Sequence, residues 1–491
     1  MPGVCQPLSN WVIPLGTDPP SSIPTSVNSV NWQNVSKMTG VTGSGTNGDP
    51  WIGWDTQVNT TSTYYYFPAG FYDFNPFTIS ATGVHFVGDG MYNTNLRCLD
   101  GTVNCITVTS PLATMEGFEL LVKTTITPSA GYFLQVNAGA GFNLLDYRMG
   151  NFFGAIQTQG SLRTVNGRLF PTIAATTAIH VLNANTNTFR DITMSISANI
   201  TTAWDIEYNS GTGGGVTDTV DMLGCTVYSA GTNCKCIWVH GDTQAPQWVH
   251  VVGGYYESQG NSSGVHTIVL DAGKGIRFTN AYILGGQNTL SCQANNGLFH
   301  DFVFSNCTFI KSYQAAISVS FQQYLQLIGC TVAGASQVTT NTYACVALGA
   351  NADGFSMIGG FIRGPFGFSG NVPSYGIQAT GGSKNIYIEG VTIPAAEFGT
   401  GSSTGLVPTL ASAATFTPLH RSQFVSGVAA IGTINVPSWV SNGTRVTFIP
   451  TGLFTWTAAG NIALAGNAVV NKALDFTYDV QAAKWYPSYI A

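Results

Sequence analysis

A short phrase recurs along the chain. LQLIGC at 325–330, FSMIGG at 355–360 and IYIEGV at 386–391 each set apolar residues at alternate positions and then close on glycine. Aligned on the small or turn residue that closes the phrase, further copies end at Gly224, Gly253, Asn280 and Asn306, with weaker ones at Gly88, Gly117, Asp146, Asn166 and Asp191. From Gly88 to Gly390 is 302 residues in 11 steps. The mean step of about 27 lies inside the range that marks a stacked-repeat architecture.

Two other phrases keep the same beat. Upstream of most copies stand AIHVL, WDIEY, CIWVH, TIVLD, AISVS, CVALG and GIQAT, and after the closing residue come CTVY, GYYE, AYIL, CTFI, CTVA, GFIR and VTIP. Three short alternating strands per repeat make a rung of a parallel β-helix, each coil stacking on the last at about 4.8 Å. Gly, Asn and Asp close the phrase because a tight corner needs a residue that tolerates positive φ. The expected fold is all-β: a three-sheet parallel β-helix of about 12 rungs.

Composition agrees with that and excludes other classes. Only 40 of 491 residues are charged, yet no run of about 18 apolar residues occurs, so membrane insertion is not expected. A hydrophobic fraction of 44% is ample for a core and argues against disorder. The net charge of −6 with no basic stripe argues against a nucleic-acid partner. The N-terminal MPGVCQPLSNWVIPLG has neither a basic stretch nor a continuous apolar one, so no signal peptide is visible. A virion protein released by lysis would need none.

Alternation along strands sorts side chains into inward and outward sets. Cys225, Cys307 and Cys330 share one rung position and should point inward as small hydrophobes. Cys234, Cys236 and His240 lack a fourth ligand, so neither a metal nor a cofactor is expected.

YYYFPAGFYDF at 64–74 followed by VHFVGDGMYNTNL at 84–96 resembles the opening coil of the pectate-lyase-like superfamily, of the phage tailspike or tail-associated depolymerase type. The likeness, rungs included, covers roughly residues 60–398. It departs from the family in one respect: TQVNTTSTYYY stands where many relatives carry a short amphipathic helix. The resemblance implies a right-handed helix in a virion tail or extracellular protein, binding a bacterial surface polysaccharide. It implies an N-terminal attachment or capping segment (1–58) that meets other tail proteins, the β-helix (59–398), a Gly/Ser/Thr-rich linker (399–411), and a C-terminal β domain (412–491) for trimerisation or glycan binding. A homotrimer is expected, because outward Leu284, Ile310 and Val303 would otherwise form a large apolar patch.

Only outward titratable residues on successive rungs can build a site, since inward ones would be unpaired charges in the core. In AWDIEYN, Ile206 should face inward and leave Asp205 and Glu207 outward, about 7 Å apart. The next rung adds Trp238 and His240, and the one after adds Asp271. Two carboxylates suit acid/base hydrolysis of a glycosidic bond, with Trp238 as a sugar platform. A second column of Asp221, His250 and Arg277 suits β-elimination from a uronic acid. Tyr255 with Glu257, and Phe361 with Arg363, are candidate sugar contacts, whereas His85 and His180 read as structural. Three functions remain open: a hydrolytic depolymerase, a polysaccharide lyase, and a non-catalytic receptor-binding or spacer helix.

Overall fold

The structure, a computed structural model, describes residues 31–489 apart from 172–176, 197–199, 214, 230–233, 261–263, 293–297, 299, 323, 341, 365–370, 380–382, 384, 395–403, 406–408, 419–421 and 438–439. Cys5, most of the expected linker and much of the expected attachment segment lie outside the described residues. The fold is a parallel β-solenoid of about 12 turns with additional sheets at its C-terminal end.

Each turn contributes a strand to three parallel ladders. The first face is a 13-stranded sheet from Phe77–Ile79 to Thr404–Gly405. It includes Thr177–Leu182, Thr202–Tyr208, Lys235–Gly241 and His266–Leu270 on consecutive rungs. The second face carries the repeated phrase, for example Asp218–Leu223, Gln247–Val252 and Gly273–Thr279. The third face follows the corner, as in Thr226–Ser229, Tyr255–Ser258 and Tyr282–Gly285. Six of the thirteen first-face strands were not among the sequence phrases, and one of them, Asn288–Cys292, falls inside the run the phrases cover. The first parallel strand is Asn31–Asn34, which pairs with Thr63–Phe67, so part of the expected attachment segment belongs to the ladder.

The corners take the conformation their residues suggest. Eleven of the twelve closing residues, from Gly117 and Asp146 through Asn306 to Gly390, have positive φ. Gly88 is the exception, and its reason is space: a Cβ there would sit 2.4 Å from the Gly117 carbonyl oxygen on the next rung. Between corners, apolar side chains fill one continuous core from Val35 to Ile377. Trp54 is fully buried at its N-terminal end, with its ring against Phe67, Phe74 and Phe77. Cys225, Cys307 and Cys330 are buried as expected.

Among the described residues, Leu284, Ile310 and Val303 do not form the exposed apolar patch expected of them. Leu284 and Ile310 are buried with Ala333 in a small cluster outside the main core, flanked by Tyr255 and Tyr282, and Val303 is half-buried. These outward side chains therefore satisfy one another within one chain. Residues 410–487 contain a five-stranded mixed sheet and smaller pairings, packed on a separate core of Val425, Val446, Phe448, Trp456, Phe476 and Trp485. Among the described residues, no helix is long and apolar enough to cross a membrane.

Candidate active site

Register on the first face builds the site. His180, Asp205 and Trp238 align across three rungs, as do Leu182, Glu207 and His240 one pleat further on. Trp204 and Ile206 point into the core and are fully buried, which turns Asp205 and Glu207 outward. A one-residue slip would bury both carboxylates in the apolar core, so the pattern fixes the register.

Each carboxylate is held by an imidazole from a neighbouring rung. His240 Nε2 lies 2.8 Å from Asp205 Oδ1, and His180 Nε2 lies 2.8 Å from Glu207 Oε2. Asn209 Nδ2 donates to Glu207 Oε1 at 3.0 Å, and Thr177 Oγ1 lies 3.4 Å from Asp205 Oδ2. Asn209 is itself fixed: its amide donates to Asn183 Oδ1 at 2.8 Å, and Asn183 Nδ2 donates to its carbonyl at 2.7 Å. His180 Nδ1 faces both the Tyr132 hydroxyl and Gln157 Nε2, each at 3.3 Å. Though outward on its strand, Asp205 is only 7% exposed.

The electrostatics follow from these contacts. The His180 hydrogen bond, helped by His240 and Asn209 and opposed by partial burial, holds the Glu207 carboxyl below its usual range. Burial pushes the Tyr132 hydroxyl up, and the negative Asp205 and Glu207 push it further. Lys235 is drawn down by burial, against the pull of Asp271 and Asp205.

Trp238 is in place but already engaged. His240 stacks on it with ring centroids 3.8 Å apart, the Lys235 ammonium lies 3.7 Å from its centroid, and its Nε1 donates to Asp271 Oδ2 at 2.8 Å. The indole therefore has less free face than a sugar platform needs. It fixes His240 and, through that imidazole, Asp205.

The remaining candidates lie elsewhere. Tyr255 and Glu257 are on the third face, where the Tyr255 hydroxyl donates to Glu257 Oε2 at 3.0 Å within a run of Tyr228, Tyr255 and Tyr282 rings. Asp221, His250 and Arg277 do form one column on the second face. There His250 Nδ1 meets Asp221 Oδ1 at 3.1 Å, while Arg277 donates to both oxygens of Asp301. His85 stacks beneath Tyr64 at 4.1 Å, a packing role.

His180 is the residue that sequence reasoning misplaced: it belongs to the site. Its signal was present, since AIHVL aligns with AWDIE so that His180 falls in the Asp205 column. Tyr132, Gln157, Asn209 and Lys235 were also missed, being brought in by rungs and turns that carry no motif. Donor atoms of His180, Asp205 and Glu207 lie within 4.8 Å of one another. These three could hold a divalent cation only by giving up the His180–Glu207 hydrogen bond.

Neither a family model nor a curated protein sequence matches the chain. Solved structures match it at low identity, and they include right-handed parallel β-helix proteins. The A-module of the Azotobacter vinelandii mannuronan C-5 epimerase AlgE4 is 14% identical with a TM-score of 0.44, over 74% of this chain and 95% of that one. An alginate lyase from Paenibacillus sp. FPU-7 is 12% identical with a TM-score of 0.35, over 67% and 92%. The enzymatically active domain of tailspike protein 2 from bacteriophage CBA120 is 11% identical with a TM-score of 0.29, over 84% and 55%.

Proposed function

We propose that the chain is a polysaccharide depolymerase of the tailspike type, cutting a glycosidic bond of a bacterial surface polysaccharide by hydrolysis. One observation carries the reading: two outward carboxylates on one strand, each bonded to an imidazole from an adjacent rung. Glu207, held ionised by His180 and Asn209, is the nucleophile or base. Asp205 and His240 share a hydrogen bond, and this pair supplies the proton to the leaving oxygen and takes one from water in the second step.

An oxygen of Asp205 and one of Glu207 lie within 4.8 Å of each other. Retaining glycosidases place their carboxyl groups about 5–5.5 Å apart, and inverting ones about 6.5–9.5 Å. Single oxygens this close are compatible with either separation, so the first anomer formed decides between retention and inversion. In the elimination reading Arg277 or His250 would act as base; Arg277 is tied to Asp301 through two nitrogens and His250 Nδ1 to Asp221, and product analysis decides between the readings.

The test is a panel of purified bacterial polysaccharides, scored for new reducing ends and, by proton NMR, for the first anomer formed. Hydrolysis is expected, and the anomer assigns retention or inversion. Products carrying a new double bond would assign a lyase instead, and binding without any cleavage would assign a receptor-binding protein.

A further inference from the structure

Four consecutive rungs of the second face share a backbone feature that recurs in the same column towards its two ends, at Ser62, Gly83, Gly354 and Asn385. Thr186, Thr219, Trp248 and Gly275 fall in one register column, and all four have positive φ, from 51° to 72°. The first three are non-glycine residues, for which this conformation is strained, most of all for a bulky indole. The rungs concerned are the ones whose first-face strands run from Thr177–Leu182 to His266–Leu270 and hold the carboxylate site.

Trp248 is the column's exposed aromatic member, 45% accessible. Its benzo ring lies against the backbone of Gly275, where a Cβ would come within 2.6 Å of it. Among the described residues, no side-chain hydrogen bond or ring contact engages the indole. One side of the ring thus rests on a glycine, and the other is open. Trp238, on the same rung, is covered by His240 and Lys235. Beside Trp248 on the outward face stands His250, bonded to Asp221, and around it are the polar Asp218, Gln247 and Lys274.

We propose that Trp248 is a sugar-stacking platform, an accessory subsite round the turn from the carboxylates, with Asp221 and His250 as flanking hydrogen-bonding groups. An aromatic face ringed by hydroxyl-, amide- and charge-bearing side chains is the surface a pyranose ring recognises. Trp248 lies eight residues after His240, so their Cα atoms are at most about 29 Å apart. A polymer bound at the carboxylates reaches the platform, and a short fragment does not. The inference rests on the hydrolase reading above, and it assigns the second-face column to binding rather than chemistry.

The experiment compares wild type, Trp248→Ala and Trp248→Phe on the polysaccharide cut in the panel and on its shortest cleavable fragment. Trp248→Ala should weaken polymer affinity about tenfold, which corresponds to about 1.4 kcal/mol, and leave kcat on the fragment unchanged. Trp248→Phe should restore most of the affinity, which a purely structural loss would not allow. Gly275→Ala, which pushes the ring off its seat, should mimic Trp248→Ala. Unchanged polymer affinity in Trp248→Ala overturns the platform and leaves the carboxylate site standing, as does an equal loss on polymer and fragment. A wild type that neither binds nor cuts any polysaccharide overturns the reading beneath it, and the platform with it.

Discussion

The same outward column of the first face has two characters. From Asp205 it runs through Trp238 and Val269 to Ser291, Ser318, Ala347 and Gln378 on the C-terminal side. In the other direction it passes His180 and then Gln157, Gln135, Thr107 and Thr78. Its ionisable members occupy only adjacent central rungs, where His180 and His240 reach across to Glu207 and Asp205. Apart from Trp238, small, apolar or amide side chains suffice at its other positions, although every rung makes the same parallel backbone pairing. The ladder therefore does not require the charges. A covered aspartate beside a glutamate costs desolvation and mutual repulsion, which the two imidazoles offset. Such a cluster within an otherwise neutral column points to chemistry rather than scaffolding.

The sharpest contrast lies between the inside and outside of one strand. Leu327 is fully buried and Gln326 faces outward. Leu327→Asp should abolish soluble protein, because a buried carboxylate there has no partner. Gln326→Asp should express and melt like wild type. If Leu327→Asp folds, the continuous core is not what holds the rungs.

On the charged rungs, His180→Gln should lower turnover about 10–100-fold with little change in melting temperature, the scale expected for removing a group that fixes a catalytic carboxylate. On a neutral rung, Ser318→Ala should change neither. The pH dependence of the two variants separates the regions further. In wild type the Glu207 carboxyl is depressed, so the stability it contributes is present above about pH 4.3 and is lost as pH falls through its lower folded value. Without the imidazole of His180 the folded value rises towards the ordinary one, so less stability should be lost, over a narrower window of pH.

The smallest effect concerns His266, two rungs beyond the carboxylates. Burial first, and then Lys235, lower its pKa to about 4, and its Nδ1 has no hydrogen-bond partner. The unfolded chain takes up this proton first, near pH 6.5, so stability falls as pH drops from about 6.5 to about 4. His266→Gln should flatten that slope in thermal melts recorded across this window. An unchanged slope would place its origin in other groups.

Much of this fold was legible because a solenoid repeats its instructions. The corner residues recur at a fixed beat, and their positive φ follows from what Gly, Asn and Asp tolerate. The register of Asp205 and Glu207 was legible because Ile206 between them had to face the core. The strand Asn288–Cys292 was not, since its rung is one of the shortest and NTLSC lacks clean alternation. The packing of Trp238 was hidden because Lys235 reaches it from the start of the strand, which no period predicts. Trp248 was hidden for the opposite reason, as a positive φ at a tryptophan contradicts local preference. The mutual burial of Leu284 and Ile310 depends on contacts between rungs, which outward alternation alone cannot show.

The central claim is that the carboxylate pair performs chemistry. Its most direct test is the rate of reducing-end release by Asp205→Asn and Glu207→Gln, measured beside Ser318→Ala on the same polysaccharide. Loss of a nucleophile or proton donor should cost about three orders of magnitude or more. The account predicts such a loss in both amide variants, with polysaccharide binding retained and Ser318→Ala at the wild-type rate. Wild-type cleavage by both amide variants would contradict it and move the chemistry to another face of the solenoid.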